Sequence, residues 1–154
     1  GVGRKAETIA HLVGDDADLL ISAAWLHDIG YSPSLVSTGF HPLDGARYLR
    51  DTESADGRLC RLVAHHTCAE IEARRRGLAD DLLVEFPNIA SPTADALLFC
   101  DMTTSPDGTP IEVLARLDEI ASRYGDGDIV AKSIAEARSE ILDTTNRVRS
   151  RLMQ

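Results

Sequence analysis

The sequence predicts an all-α fold, a helical bundle of about six to eight helices. Apolar residues recur at the 3.6-residue spacing of amphipathic helices over most of the chain, whereas the two-residue alternation of β-strands is almost absent. The length of 154 residues fits one domain with a sizeable core, and no repeat or linker divides it. We therefore predict a single all-helical domain over residues 1–154.

Capping residues and breakers predict the helix boundaries in order. A first helix covers 3–13 and ends at Gly14, and a second begins near Asp15 and Asp16, whose charges suit a helix start, and ends at Gly30. Residues 31–40 form a loop. Pro42 and Pro92 suit first helical positions. The other predicted helices span 41–50, 56–76 with a break expected after His66, 81–86, 91–104, 111–124 and 129–153.

Charge and composition exclude several classes of protein. The chain carries 16 basic and 25 acidic residues, a net charge of −9, which argues against an extended nucleic-acid surface. A small nucleotide remains a feasible ligand if local cations or metals supply positive charge. No apolar run approaches the length of a membrane span, and three cysteines without a CxxC pair predict reduced thiols. We expect a cytoplasmic protein without membrane segments.

Three apolar helix stripes each end in a polar side chain. The stripes are Leu20, Ala23, Ala24 and His27; Leu59, Leu62, Val63 and His66; and Ala94, Leu97, Leu98 and Asp101. Burying such groups is costly unless they are hydrogen-bonded, paired or coordinated to a cation. One histidine on an apolar face is usually a core residue, but three such coincidences of ligand types favour a metal site.

The candidate ligands are His27, Asp28, His41, His65, His66 and Asp101. Neighbouring helical residues point about 100° apart, so adjacent pairs such as His27 and Asp28 suit two ions better than one. Asp28 can bridge two cations, and a sulfur-free set of nitrogen and oxygen ligands suits Fe, Mn, Co or Ni. The alternative is a hydrogen-bonded polar network in the core.

The ordered motifs resemble the HD superfamily of metal-dependent phosphohydrolases. They are Ala23-Ala24-Trp25-Leu26-His27-Asp28-Ile29-Gly30, His41-Pro42-Leu43-Asp44-Gly45-Ala46, His65-His66-Thr67 and Phe99-Cys100-Asp101. The resemblance covers roughly residues 1–104 and is specific for the branch with extra histidines and a dinuclear site. Within that branch the chain is most similar to small hydrolases of dinucleoside tetraphosphates. It lacks the GYP signature of cyclic-di-GMP phosphodiesterases, reading Thr67-Cys68-Ala69-Glu70 after the paired histidines.

By this resemblance, His27, Asp28 and Asp101 are the core ligands, and His41 with His65 or His66 completes a second metal. Asp28 would bridge or orient a metal-bound hydroxide, the nucleophile. The family's first histidine ligand would lie just upstream of Gly1. Many relatives have a phosphate-contacting lysine where this chain has Tyr31, a candidate substrate-binding residue. The candidate phosphate-binding cations are Lys5, Arg47 and Arg61.

The sequence thus predicts an HD-domain phosphohydrolase with one or two divalent transition metals. Its substrate would be a small phosphoester or phosphoanhydride, with a nucleotide preferred. Residues 1–104 would form the metal-site core, and the helices of 105–154 would pack as cover or form a homodimer face. Two alternatives remain open: a dinuclear-iron oxygenase on the same fold, and a non-catalytic nucleotide- or metal-sensing module.

Overall fold

The computed structural model describes all residues from Gly1 to Gln154 and is all-α, which confirms the predicted fold class. Its helices are α1 (Val2–Ile9), α2 (Ala17–Leu26), α3 (His41–Asp51), α4 (Gly57–His65), α5 (Ala69–Arg76), α6 (Ala79–Glu85), α7 (Pro92–Met102), α8 (Val113–Tyr124) and α9 (Ile129–Leu152). Short 3₁₀ segments cover Ala10–Asp16, Ile29–Tyr31 and His66–Cys68. None of the helices has both the length and the apolar character needed to cross a membrane.

Polar side chains cap several helix starts. The side chains of Asp56, Ser91 and Asp128 accept hydrogen bonds from backbone N–H groups in the first turns of α4, α7 and α9. Some boundaries differ from the prediction, since α1 ends at Ile9 and α2 ends at Leu26 instead of Gly30. The break expected in helix 56–76 is present as the 3₁₀ segment His66–Cys68, which separates α4 from α5 and gives nine helices.

Three apolar clusters form the core, and α7 belongs to two of them. One cluster joins α3, α4, α5 and α6 around Leu43, Val63 and Leu82. A second joins α1, α2 and the Leu97 side of α7, and a third joins Met102 of α7 to α8 and α9. The predicted stripe residues Leu20, Ala23, Ala24, Val63, Leu97 and Leu98 are all buried. Their burial fixes the helix ends that carry the polar groups.

The three cysteines are free thiols. Cys60 and Cys100 are buried, and burial raises the pKa of the Cys68 and Cys100 thiols to about 12. These side chains therefore behave as small apolar groups in the packing. The cytoplasmic location stays a prediction.

Buried Asp44 anchors the loop before α3. Its carboxylate accepts hydrogen bonds from the backbone N–H groups of Ser37, Thr38 and Gly39 at 3.0 to 3.2 Å, and from the Thr38 hydroxyl at 2.8 Å. Burial opposes ionisation, but these donors outweigh it and lower the pKa of Asp44. Because the loop leads directly into His41, this carboxylate sets where α3 begins.

We expect Asp44→Asn to lower the free energy of unfolding by about 1.5 to 3 kcal/mol, because an amide cannot accept from all four donors. The depressed pKa makes this contribution complete above the ordinary aspartate pKa of 3.8, and it is lost as the pH falls through the folded-state value. Urea denaturation at several pH values measures both effects. Asp80→Asn, at an exposed position, is the control, and equal stability of the two variants would contradict the assignment.

Candidate metal centre

Five predicted ligands meet where helices begin or end. His27 follows the last residue of α2, Asp28 comes next, and His41 is the first residue of α3. His66 directly follows α4, and Asp101 lies in the last turn of α7. The backbone leaves the helix at Asp28, with φ −98° and ψ 9°, so that His27 and Asp28 are not held at the fixed angle of helical neighbours.

The two carboxylate oxygens of Asp28 face different histidines. Oδ2 lies 3.3 Å from His27 Nε2, which is itself 3.8 Å from Asp101 Oδ1. Oδ1 lies 3.3 Å from His41 Nε2 and 3.7 Å from His66 Nε2, and those two nitrogens are 3.2 Å apart. The side chains therefore form two adjoining groups that share Asp28.

Backbone hydrogen bonds fix the tautomers of two ligands. Nδ1 of His27 donates to the Ala24 carbonyl at 2.9 Å, and Nδ1 of His66 donates to the Val63 carbonyl at 2.7 Å. A carbonyl only accepts, so in the neutral ring the lone pair is on Nε2, the atom that faces the centre. Lone pairs and carboxylate oxygens directed at one space require a proton or a metal ion between them. This second bond to each ring is typical of metal-ligating histidines.

The spacing also fits metal coordination. Two ligands about 2.1 Å from one ion, at about 90 to 110° to each other, lie about 3.0 to 3.4 Å apart. The closest distances here are 3.2 and 3.3 Å. One ligand atom each from Asp28, His41 and His66 lies within 4.8 Å of the others. The nitrogen and oxygen donors suit a divalent transition metal.

Burial and neighbouring charges shift the pKa values of three side chains at the centre. Burial lowers the pKa of His27, but Asp28 and Asp101 outweigh this and raise it to about 9. Burial likewise opposes ionisation of Asp28, but His27 and His41 hold its pKa well below the usual range. Burial, together with His27 and His41, lowers the pKa of His66 to about 4, which keeps this ring neutral and able to coordinate.

A strained turn follows His66. Thr67 (φ 49°, ψ 50°) and Cys68 (φ 59°, ψ 33°) are both left-handed, a conformation that costs about 1 to 2 kcal/mol for each non-glycine residue. The turn brings the Thr67 hydroxyl to Asp101 Oδ2, to which it donates a short hydrogen bond. Asp101 Oδ1 remains directed toward His27. Thr67 thus orients a ligand without being one.

Thr67→Val should therefore weaken metal binding by about 10- to 100-fold, the usual effect of removing a hydrogen bond to a ligand. Competition against a fluorescent chelator measures the affinity. Thr8→Val, which removes an exposed hydroxyl from α1, should leave it unchanged. Equal affinity in Thr67→Val and the unmodified chain would show that Asp101 does not need this contact.

The structure places His65 apart from the other predicted ligands. Its Nε2 donates to the carbonyl of Phe86, and its buried Nδ1 has no hydrogen-bond partner. His65 is the last residue of α4, whereas His66, at ψ 146°, has left the helix. His66 joins the cluster and His65 does not.

Three predicted phosphate-binding cations also lie elsewhere. Lys5 Nζ donates to the Thr103 carbonyl at 2.8 Å, and Arg47 binds the carboxylate of Glu85. Arg61 lines a second cavity of about 100 Å³, which shares only His66 with the cavity at the centre. Arg47 lies six residues after the start of α3, about 9 Å along its axis, and faces α6. None of these three residues lines the cavity at the centre, and their contact with substrate stays a prediction.

A cavity of about 360 Å³ opens beside the cluster, a size at the small end of ligand pockets. Asp28, His41, His66 and Asp101 line one side. Tyr31, predicted to contact substrate, lines it too and stacks on the His41 ring at 3.9 Å between centroids; its role stays a prediction. Residues of α8 and α9 also line the cavity, which the sequence did not predict.

The comparison with known families agrees with this geometry. A family model described as HD domain matches residues 1–124. The chain belongs to the HD domain family. Searches of curated proteins and of solved structures returned no significant match.

Two features of the centre follow from membership in the HD domain family. His27 and Asp28 form the dipeptide expected of an HD domain, and HD domains bind divalent metals. The match also reaches beyond residue 104 to the end of α8, so this helix belongs to the family's part of the chain. The HD domain is typical of metal-dependent hydrolases.

Proposed function

We propose that this HD domain is a metal-dependent phosphohydrolase that cleaves a small phosphoester or phosphoanhydride, with a nucleotide as the preferred class of substrate. The observation that carries the proposal is the position of Asp28, whose two carboxylate oxygens face separate histidine groups. That arrangement suits a carboxylate shared by two divalent ions. The order of the motifs resembles that in hydrolases of dinucleoside tetraphosphates, which supports a nucleotide as the substrate.

The reaction is a nucleophilic substitution at phosphorus, in which water displaces the leaving oxygen. The oxygen of water forms a bond to phosphorus, the bond to the leaving oxygen breaks, and the leaving oxygen gains a proton. Divalent ions, when bound, supply a nucleophile at neutral pH and polarise the phosphoryl oxygens. His27 with Asp101 would hold one ion, and His41 with His66 the other.

The protein residues provide fixed positions and charge. The Nδ1 bonds to Ala24 and Val63 keep the coordinating lone pairs of His27 and His66 directed at the centre. Asp28 has a 55% exposed side chain, whereas the side chains of His27 and His66 are at most 7% exposed. Asp28 is thus more exposed than these two histidines, and we assign it the role of orienting the attacking water.

Metal loading combined with a phosphate-release assay tests the proposal. The chain would be loaded with Mn, Fe, Co or Ni and assayed with p-nitrophenyl phosphate, mononucleotides and dinucleoside tetraphosphates. We expect metal-dependent phosphate release that Asp28→Asn abolishes and that Asp18→Asn, on the exposed side of α2, leaves unchanged. Oxygen-dependent turnover with iron would instead favour the oxygenase, and nucleotide binding without turnover the sensing module.

A further inference from the structure

One arginine in the wall of the cavity has a buried donor without a partner. Arg116 of α8 lines the cavity, and its side chain is only 12% exposed. Nη1 donates to Glu119, but Nε is buried and makes no hydrogen bond. A buried polar group without a partner is rare and destabilising, so the protein itself does not use the full donor capacity of this guanidinium group.

A second arginine lies on the same face of the helix. Arg116, Ile120 and Arg123 are spaced i, i+4, i+7, and all three line the cavity. Arg123 Nε lies 3.1 Å from Glu119, the same carboxylate that Arg116 contacts. Neither arginine contacts another carboxylate. Two guanidinium groups therefore share one negative charge, and this face of α8 keeps a net positive charge.

The two arginines line the same cavity as the residues of the metal centre. No other arginine or lysine lines this cavity, and Glu72, which does, is already paired with Arg76 at 2.7 Å. Ile120, Val130 and Ile134 add an apolar surface beside the arginines. Guanidinium groups suit phosphoryl oxygens because several N–H donors lie in one plane.

We propose that the α8 face of Arg116, Ile120 and Arg123 binds a phosphoryl group of the substrate, with Arg116 as the main contact, and that the organic part packs against Ile120, Val130 and Ile134. The inference rests on the proposed function and deepens it. It assigns the substrate as an anionic phosphate compound with one apolar or aromatic group, of a size that a 360 Å³ cavity encloses.

Calorimetric titration of the manganese-loaded protein with inorganic phosphate and with pyrophosphate tests this proposal. We expect Arg116→Gln to weaken binding by about 10- to 100-fold, the loss of one or two charge-assisted hydrogen bonds. Arg116→Lys should recover part of the affinity, since it restores charge but not the planar donors. Arg138→Gln, an exposed position on α9 with the same change of charge, should match the unmodified chain.

The outcomes separate this inference from the proposed function. Weaker binding of both anions by Arg116→Gln places the reacting phosphoryl group at α8. Weaker binding of pyrophosphate alone places the phosphoryl group next to the reacting one at α8. Either result supports the proposal. Unchanged affinity for both anions, in a variant whose metal content and thermal unfolding are unaltered, overturns it. If Arg116→Gln does not fold, Arg123→Gln gives the same test, because the side chain of Arg123 is 43% exposed and its replacement disturbs the packing less. Absence of hydrolysis in the unmodified, metal-loaded chain would contradict the proposed function instead.

Discussion

Replacing His66 with Ala should remove about one equivalent of bound metal and lower phosphate release by at least about 100-fold. His66 is the most enclosed ligand, and its Nε2 faces both His41 and Asp28. The helices should remain folded, because the apolar clusters that hold them together do not include His66. Elemental analysis of the purified variant gives the metal content, and circular dichroism gives the helicity.

His65→Ala is the matched control for this change. It removes the same side chain from the adjacent residue, and each ring donates one hydrogen bond to a backbone carbonyl. Metal content and activity should stay at the level of the unmodified chain. If His65→Ala loses metal and His66→Ala keeps it, the ligand assignment is reversed and the geometry of the centre is wrong.

Gly30→Ala should displace the start of α3 and lower the free energy of unfolding by about 1 to 3 kcal/mol. A Cβ atom on Gly30 would lie 2.0 Å from the carbonyl oxygen of His41 and 2.8 Å from the backbone nitrogen of Gly45. These are backbone atoms and cannot rotate away. Because His41 is a ligand, the same change should also weaken metal binding, which urea denaturation and chelator competition would measure together.

Gly127→Ala controls for the loss of glycine flexibility. A Cβ at Gly127 meets nothing within 4 Å, so its stability and metal affinity should match the unmodified chain. Should Gly30→Ala behave like Gly127→Ala, the close approach of Gly30 to α3 would not be needed to position His41.

Much of the centre could be predicted because helical periodicity reports which face is buried. His27, His66 and Asp101 each continue an apolar stripe, and all three reach the centre. What periodicity could not show is that α2 and α4 end at these ligands. Neither end carries the glycine or proline of a common stop signal there, and the ends are set by tertiary contacts around the cluster.

The α8 wall was missed for a different reason. An arginine on an amphipathic helix usually lies on the solvated face, and no motif distinguishes Arg116 or Arg123 from such residues. One signal was present, since Arg116 and Arg123 share a face with Ile120, which is buried. Which helix this face meets depends on packing between distant parts of the chain, and local helical periodicity does not report it.

Anomalous X-ray diffraction from manganese-soaked crystals tests the central claim, that this cluster is a divalent metal centre. We expect a strong peak about 2.0 to 2.3 Å from Asp28 Oδ1 and from Nε2 of His41 and His66. A second peak beside His27 and Asp101 would establish the bridging role of Asp28. A map with no peak within coordination distance of Asp28 would contradict the account and leave a hydrogen-bonded polar network as the explanation of the cluster.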